Sequence, residues 1–277
     1  MLRIFPFVKK YYSIENAKFL IISIPYEGYV NTRLGSFLAP KMIRKYSECI
    51  EVYSNYFNRS LEEVSFFDLG DINVNLYYDN DSTILDIYNY LKNVLISRDK
   101  NYIFIGGDHS ITIASFLAMK NLYKNLVYIH LDAHADCHNE YCGQRFSHAS
   151  VLRRISESST SISIGVRTLD DMEKGYFFSN IINIDLNNID SLGSFVNGYV
   201  YLSVDMDFFD PSISFAVSNP NSNGANFVHY IKILEILSNF KVVGFDVVEV
   251  NPTLDYPSYK TCILASEVIR EFILSKK

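Results

Sequence analysis

The chain has 277 residues, with 25 Lys and Arg against 31 Asp and Glu and a formal net charge of −6 at pH 7. With 48% hydrophobic and 20% charged residues, the composition is that of an ordinary globular protein and excludes collagen-like, disordered and low-complexity classes. The mild acidity argues against a nucleic-acid partner, which requires excess basic charge, but not against a cationic small-molecule substrate. No linker divides the chain, and we expect a single domain over 1–277.

Signals for export or membrane insertion are missing from the sequence. The longest apolar runs fall well short of the ~20 residues that a membrane-spanning helix needs, and the apolar part of the N-terminal segment 1–13 is too short for a secretory signal. The four cysteines, Cys49, Cys137, Cys142 and Cys262, form no CxxC pair, which predicts reduced thiols. We therefore expect a cytoplasmic protein with no membrane partner.

Eight short and mostly continuous apolar runs predict strands of a parallel sheet that is covered on both faces. In chain order they are Lys18–Ile24, Ser65–Leu69, Tyr102–Ile105, Leu126–Leu131, Ser161–Ile164, Ile181–Ile184, Tyr199–Val204 and Val242–Val248. Apolar residues at helical spacing predict helices over Ser82–Leu95, Ser110–Leu122, Phe227–Leu237 and Lys260–Ile273. This alternation predicts a doubly wound α/β fold, in which ligands bind beyond the carboxyl ends of the strands.

Polar clusters follow four of the predicted strands. They are Gly106–Ser110, His130–Asp136, Ser203–Asp207 with Asp210 and Pro211, and Asp246–Pro252. If the strand Leu126–Leu131 continues into the second cluster, side-chain alternation places Asp132, His134 and Asp136 on one side of it. Asp205 and Asp207 would share one side of the Tyr199–Val204 strand in the same way. Taken alone, each motif is as well explained by a loop or a helix start, and Asp108 is expected to cap the Ser110–Leu122 helix.

Together these clusters predict a metal centre. Several carboxylates in one partly dry crevice would repel one another strongly, and divalent cations remove that cost. A ligand set rich in carboxylate, with few imidazoles and no thiolate, suits Mn²⁺ or Mg²⁺ better than structural zinc. The candidate ligands are His109, Asp132, His134, Asp136, Asp205 and Asp207. They are too many for one ion with open positions, so two ions that share bridging carboxylates fit best.

At these residues the sequence resembles the ureohydrolase family, which comprises arginases, agmatinases and their relatives. The family motifs GGDHS, DAHxD, SxDxDxxDP and EVNP are matched by Gly106–Ser110, Asp132–Asp136, Ser203–Pro211 and Glu249–Pro252. Two further segments, Arg33–Arg44 and Asp68–Asp71, are similar to the family's early motifs. The resemblance implies a three-layer α/β/α sandwich with an eight-stranded, mostly parallel sheet and a binuclear manganese centre.

The resemblance also implies a role for each site residue. One Mn²⁺ would be bound by His109, Asp132, Asp136 and Asp205, and the other by His134, Asp132, Asp205 and Asp207. Water between the ions would be acidified to hydroxide and attack the guanidinium carbon, which releases urea and an amine. Glu249 would orient the guanidinium through paired hydrogen bonds, and His148 would carry protons to the leaving amine. These two residues and Asp136 are the expected catalytic residues.

Histidines outside the motifs receive no catalytic role. His130 lies within an apolar strand and is predicted to be a packed, hydrogen-bonded core residue. His138 is left without a function. Read without the resemblance, His148 would be a surface histidine at a helix start, and Glu249 a surface or ion-paired glutamate.

The loop that follows Asp136 bears on the substrate. Gly143–His148 resembles the agmatinase pattern, which favours agmatine or another decarboxylated guanidine. Asn139 could bind an α-amino acid head, whereas Glu140 could attract a terminal amine. After Pro211 the family's glycine-rich loop is replaced by Ser212–Gly224, which predicts a different loop path or a narrower pocket.

Several alternatives stay open at this point. The substrate could be arginine or guanidinobutyrate, or formiminoglutamate if Arg145 and Arg167 bind its carboxylates. A metal-binding paralogue without catalytic activity is the non-enzymatic alternative. Because the family often forms trimers or hexamers, we also expect a homo-oligomer.

Overall fold

The structure of the protein is a computed structural model that describes residues 4–6, 13–28, 33–77, 79–95 and 97–276. The strands are β1 (Phe19–Ile24), β2 (Tyr53–Ser54), β3 (Arg59–Ser60), β4 (Phe66–Asp71), β5 (Asn101–Gly106), β6 (Leu126–Leu131), β7 (Ser161–Ile164), β8 (Ile182–Ile184), β9 (Tyr199–Asp205) and β10 (Lys241–Val248). The α-helices are α1 (Ala39–Tyr46), α2 (Asn80–Val94), α3 (Ile111–Leu122), α4 (Val151–Ser156), α5 (Asp171–Asn180), α6 (Phe227–Leu237) and α7 (Lys260–Leu274). Most of the N-terminal segment 1–13 lies outside the described residues.

Eight strands form one sheet in the order β4-β1-β5-β10-β9-β6-β7-β8, and each neighbouring pair is parallel. All eight predicted strands are present, with small differences at their ends, and the predicted fold class is confirmed. The short strands β2 and β3 form a separate antiparallel pair.

Burial on both faces explains why the strands are continuously apolar. Every residue of β1, β6 and β7 is buried. Alternate residues enter two apolar clusters, so that Ile129 belongs to one and the adjacent Tyr128 to the other. Helices α1, α6 and α7 contribute to the first cluster, and α2 to α5 to the second. The result is the predicted three layers, with helices on both sides of the sheet.

Helices α1, α4 and α5 are absent from the predicted set. In α5 only Glu173 and Phe177 are buried, so the helical apolar pattern is too weak to be recognised. Its start does carry a readable signal. Asp170 accepts hydrogen bonds from the backbone N–H of Met172 and Glu173, and the Glu173 side chain accepts from Asp170 N–H, which is a capping box. This box fixes Glu173 close to the carboxyl edge of the sheet.

The sheet register brings four strand ends to one place. β10 and β9 are aligned with Val248 opposite Asp205, and β9 and β6 with Val204 opposite Leu131. β5 lies on the other side of β10, with Ile105 opposite Val247. The polar clusters that follow these strands therefore meet at the carboxyl edge. No helix among the described parts of the chain is both long and apolar enough to cross a membrane.

Candidate metal centre

Three carboxylates surround one nitrogen of His109. Its Nδ1 lies 3.1 Å from Asp132 Oδ2, 3.2 Å from Asp136 Oδ2 and 3.2 Å from Asp205 Oδ2. Neighbouring ligands of a single cation bound at about 2.1 Å lie about 3 Å apart. The four side chains therefore have the spacing of ligands around one ion.

A second group lies next to the first and shares Asp132 with it. His134 Nδ1 lies 2.8 Å from Asp207 Oδ2 and 3.5 Å from Asp132 Oδ1. Asp132 thus presents Oδ2 to His109 and Oδ1 to His134. The six predicted ligands all meet here, and Asp132 lies between the two histidines.

Turns, rather than continued strands, place the last ligands of each motif. β6 ends at Leu131, and Asp136 adopts the left-handed region with φ of 47°. β9 ends at Asp205, and Asp207 lies in a 3-10 helix, Met206–Phe208, with its N–H donating to Asp205 Oδ1 at 2.8 Å. The expectation that strand alternation orients these side chains is wrong beyond Leu131 and Asp205.

The predicted helix cap at Asp108 is also wrong. The N-cap of α3 is Ser110, which makes no side-chain capping bond. The Asp108 carboxylate instead accepts Ser110 N–H at 3.0 Å and Gly28 N–H at 2.6 Å, and so ties the turn after β5 to the segment after β1. Gly107 is required in this turn because a Cβ there would lie 1.9 Å from the carbonyl oxygen of Tyr26.

His130 is buried, as predicted, but it also faces the metal ligands. Its Nε2 lies 2.9 Å from Asp132 Oδ2, and its ring stacks on His109 with centroids 5.1 Å apart. The four ligand atoms of His109, His130, Asp132 and Asp136 all lie within 4.8 Å of one another. The sequence signal for this was the short spacing, since His130 lies just before the Asp132–Asp136 motif, one residue from the end of β6.

The electrostatics of the cluster fit a divalent cation. His109 Nδ1, His130 Nε2 and Asp132 Oδ2 are buried and lack a hydrogen-bond partner of acceptable geometry within the described ranges. Burial, followed by the charges of Asp207 and Asp132, raises the pKa of Asp205 well above its ordinary value. Burial and the charge of Asp132 likewise raise the pKa of Asp207. Bound cations would satisfy the unpartnered atoms and remove the repulsion between carboxylates.

A buried hydrogen-bond network orients His109 from behind. Its Nε2 lies 3.0 Å from Ser203 Oγ, and that hydroxyl donates to Asp246 Oδ1 at 2.6 Å. Asp246 Oδ2 accepts from Tyr201 at 2.7 Å and from Thr112 at 2.8 Å. Outer hydrogen bonds of this kind fix the orientation of an imidazole ligand, so Nδ1 is directed at the carboxylates.

A cavity of about 150 Å³ leads away from the ligands. Its described lining is His109, His134, Asp136, His138, Tyr141, His148, Ala149, Glu173, Asp205, Asp207, Ser218, Asn219 and Glu249. Glu249 is 7% exposed, with φ of 66°, and its Oε1 accepts His109 N–H at 2.7 Å. Burial, and then the charge of Asp108, raises the pKa of Glu249 well above its ordinary value. The structure thus brings Glu249 and His148 into the same cavity as the ligands.

Asn139 and Glu140 do not line this cavity. Asn139 Oδ1 accepts a hydrogen bond from Arg154 at 3.1 Å, and Glu140 is exposed. The residues that the sequence reasoning missed are His138, Tyr141 and Glu173 at the cavity wall. The Tyr141 ring lies 5.5 Å from that of His148 and 5.6 Å from that of His138. Only Glu173 had a sequence signal, the Asp170–Glu173 spacing of a capping box.

Arg167 anchors the glycine-poor loop Ser212–Gly224 against the site. Its guanidinium donates to the backbone carbonyl oxygens of Asp207, Asn221 and Ser222 at 2.7, 2.7 and 3.0 Å. Asn223 adopts a φ of 65° in place of a glycine, which asparagine tolerates better than most residues. The anchored loop contributes Ser218 and Asn219 to the cavity wall.

Comparison with known proteins gives consistent matches over nearly the whole chain. Residues 17–275 match the model of the arginase family. The chain is 31% identical over 280 residues to an agmatinase from Bacillus cereus, covering 97% of this chain and 95% of that protein. It resembles the crystal structure of agmatine ureohydrolase of Thermoplasma volcanium with a TM-score of 0.82 and 31% identity, covering 94% and 90% of the two chains.

A third relative has a different name. The structure of proclavaminate amidinohydrolase from Streptomyces clavuligerus matches with a TM-score of 0.83 and 26% identity, covering 94% of this chain and 91% of that chain. Since relatives of similar overall likeness differ in the guanidino compound for which they are named, the substrate has to be argued from the cavity itself.

Proposed function

The chain belongs to the arginase family and is a hydrolase of amidine C–N bonds, and from this premise we propose that it cleaves agmatine, or a similar decarboxylated guanidine, into urea and an amine with two bound Mn²⁺ ions. The convergence of six ligand-type side chains around Asp132 supports the metal requirement. The chemistry of the cavity lining supports the choice of substrate.

The proposed ligands divide around Asp132 and Asp205. His109, Asp132, Asp136 and Asp205 would hold one ion, and His134, Asp132, Asp205 and Asp207 the other. Carboxylate-rich sets of this kind favour Mn²⁺ over zinc. When bound, the ions supply the Lewis acidity that makes water nucleophilic near neutral pH.

Glu249 would bind and orient the substrate guanidinium. A guanidinium is planar and donates two parallel hydrogen bonds to a carboxylate. Glu249 is buried and already fixed by His109 N–H at 2.7 Å, so its position is well defined. A bound guanidinium would offset the cost of burying this negative charge, the cost that raises the pKa of the carboxyl.

His148 would deliver the proton that the leaving amine needs. Imidazole can accept and donate a proton near neutral pH. His148 begins a short 3-10 helix, His148–Ser150, and lies beside Tyr141 in the cavity wall. Asp136 would act together with Glu249 and His148, as a metal ligand that borders the reacting groups.

The charged residues that line the cavity support agmatine as the substrate. Five carboxylates line it, and no lysine or arginine does so among the described residues. The bound ions would offset the charges of Asp136, Asp205 and Asp207, and Glu249 would pair with the guanidinium. Glu173 is then the remaining acid of the described lining, and it favours a substrate whose distal end is an amine. The carboxylate of arginine, guanidinobutyrate or formiminoglutamate would find no basic side chain in this lining.

Neither Arg145 nor Arg167 is placed to bind the carboxylates of a substrate such as formiminoglutamate. Arg145 is exposed and does not line the cavity, and the donors of Arg167 are engaged by backbone carbonyls of the anchored loop. Glu140, exposed on the loop that follows Asp136, would attract a cationic substrate during its approach. Asn139 would act only indirectly, through the hydrogen bond to its oxygen from Arg154.

A direct assay tests this function. Mn²⁺-loaded protein is incubated separately with agmatine, arginine, 4-guanidinobutyrate, 3-guanidinopropionate and formiminoglutamate, and products are identified by mass spectrometry. We expect urea and putrescine from agmatine at the highest kcat/KM. Urea production no greater than that of the Asp136→Asn variant with every guanidine would contradict the proposal, and formamide from formiminoglutamate would replace it with the alternative hydrolase.

We further infer a cytoplasmic homo-oligomer, a trimer or hexamer. The four cysteines are free, which supports a reducing compartment. Exposed aromatic side chains such as Tyr56 and Phe178 are of the kind enriched in subunit interfaces. Light scattering coupled to gel filtration measures the oligomer number directly.

A further inference from the structure

A second cavity lies at the opposite edge of the sheet. It has a volume of about 390 Å³ and is formed where central strands begin, with Asn101 of β5, Tyr199 of β9 and Lys241 of β10 in its wall. Strands of this length span about 20 Å. The cavity is therefore remote from the metal ligands, and nothing in the proposed reaction uses it.

The lining of this cavity is strongly basic. Lys18, Arg98, Lys100, Lys241 and Lys276 line it, and Asp99 is the one carboxylate among its described lining residues. The whole chain has a net charge of −6, so this concentration of positive charge runs against the average composition. A cavity with several cations and one acid creates a positive potential that attracts anions.

Lys276 is the unusual member of this group. It is 9% exposed, and its Nζ is a buried nitrogen with no hydrogen-bond partner among the residues that the structure describes. The Nζ lies 4.9 Å from the centre of the Phe272 ring, which is the contact that the structure gives it. A buried ammonium without a counter-ion is costly, and burial lowers the pKa of Lys276 to about 7.

Two other cations of the lining, Lys100 and Lys241, have contacts that the structure describes. Lys100 donates to the carbonyl oxygens of Glu15 and Ala17 at 2.5 and 2.7 Å, and its charge also interacts with the Glu15 carboxylate. Lys241 lies over the Tyr199 ring at 5.8 Å, and the Tyr199 and Tyr123 rings lie 4.6 Å apart. The ammonium groups suit a phosphate group, and the two tyrosine rings beside them suit a small organic group attached to it.

We propose that this cavity binds a small phosphate-bearing anion, with its charged group against Lys241 and within the electrostatic field of the buried Lys276 ammonium, and with any organic body against Tyr123 and Tyr199. The ammonium groups act as point charges for phosphate oxygens. The bound anion supplies a counter-ion that Lys276 does not find within the described part of the chain. This inference does not depend on the substrate of the metal centre.

Isothermal titration of the metal-loaded protein tests the proposal, with inorganic phosphate, ribose 5-phosphate and adenosine 5′-monophosphate as probes at constant ionic strength. We expect saturable binding of at least one probe. Lys276→Met should weaken that binding about tenfold or more, which corresponds to about 1.4 kcal/mol. Lys241→Met should weaken it severalfold. The matched control is Lys174→Met, on α5, whose ammonium pairs with Asp171 at 2.6 Å outside the cavity lining; its affinity should equal that of the wild type.

The probes also identify the source of the phosphate group. Equal affinity for all three assigns binding to phosphate alone, and tighter binding of the nucleotide assigns a role to the tyrosine wall; both support the site. No saturable binding at millimolar concentration, or wild-type affinity in both Lys276→Met and Lys241→Met, would overturn it. If Lys276→Met does not fold, Lys241→Met decides. Urea production is measured in parallel, so failure here is separate from failure of the proposed reaction.

Discussion

Glu249 contacts the backbone of His109, whereas Asp136, Asp205 and Asp207 contact the side chains of the candidate ligands His109 and His134. Glu249 Oε1 accepts the N–H of His109, and the N–H of Glu249 donates to the carbonyl oxygen of Gly107 at 2.8 Å. A change at this carboxylate should therefore leave the metal ligands in place while it removes the partner of the guanidinium.

We expect Glu249→Gln to lower kcat/KM for agmatine by about 100-fold or more, the cost of losing a charge-assisted pair worth about 3 kcal/mol. Manganese content, measured by atomic emission, should stay at the wild-type value. Glu140→Gln, which alters an exposed carboxylate outside the cavity, is the control. Loss of manganese in Glu249→Gln would show that this residue supports the metal centre instead.

Ser203 offers a test of how His109 is oriented. Ser203→Ala removes the hydroxyl that joins His109 Nε2 to Asp246. Loss of such an outer partner lowers metal affinity by about tenfold or more, so we expect a weaker manganese binding curve by electron paramagnetic resonance. Ser115→Ala serves as the control, because the Ser115 hydroxyl contacts Tyr201 and not His109. Equal affinity in both variants would exclude the orienting role.

Lys276 makes stability depend on pH in a definite direction. Burial lowers its pKa to about 7 in the folded protein, from 10.5 in a free side chain. Below pH 7 both states are protonated and the cost of the buried charge is fully present. Between these two values the unfolded chain binds more protons, so stability rises with pH and the cost is removed near 10.5.

Without added anion, the melting temperature of the wild type relative to Lys276→Met should increase as pH rises above 7. The other titratable and charged groups that share the cavity with Lys276 are Lys18, Arg98, Asp99, Lys100, Tyr123, Tyr199 and Lys241. All are retained in the variant, so the difference between the two proteins reports Lys276. A constant difference across this range would contradict the pKa assignment.

At the scale of elements, a strand or helix could be predicted from the sequence when enough of its side chains are buried to leave an apolar pattern. β1 and β6 were recognisable because both their faces are buried, which produces an uninterrupted apolar run. Helix α5 was not, because most of its surface faces solvent. That the six candidate ligands lie close together was predictable from the motifs, but the turns at Asp136 and Asp207 were not. Those depend on hydrogen bonds between segments, such as Ala133 N–H to Asp207 Oδ1 at 3.0 Å.

The loop Ser212–Gly224 depends on Arg167, and this gives a prediction at the same scale. A lysine at this position cannot reproduce the planar set of donors. Arg167→Lys should therefore lower the free energy of unfolding by about 1–3 kcal/mol and raise KM for agmatine, because Ser218 and Asn219 lose their fixed positions. Urea denaturation and steady-state kinetics measure the two effects. Arg145→Lys, at an exposed position, should change neither, and equal behaviour of the two variants would refute the anchoring role.

At the scale of the whole molecule, metal binding should contribute to folding. The ligands come from segments that follow β5, β6 and β9, so bound ions link three parts of the chain that are distant in sequence. A ligand at 100 times its dissociation constant stabilises the folded state by about 2.7 kcal/mol. We expect chelation of manganese to lower the melting temperature in calorimetry and its return to restore it. An unchanged melting temperature would mean that no ion binds the native fold tightly.

β5, β9 and β10 each have one end at the acidic cavity and the other at the basic one. A one-residue deletion in any of them would slip the register and exchange its two faces, and so would damage both ends at once. The strands at the margins, β4 and β8, contribute to neither cavity lining within the described residues. A change of length in β5, β9 or β10 therefore reaches both cavities, whereas the same change in β8 reaches neither.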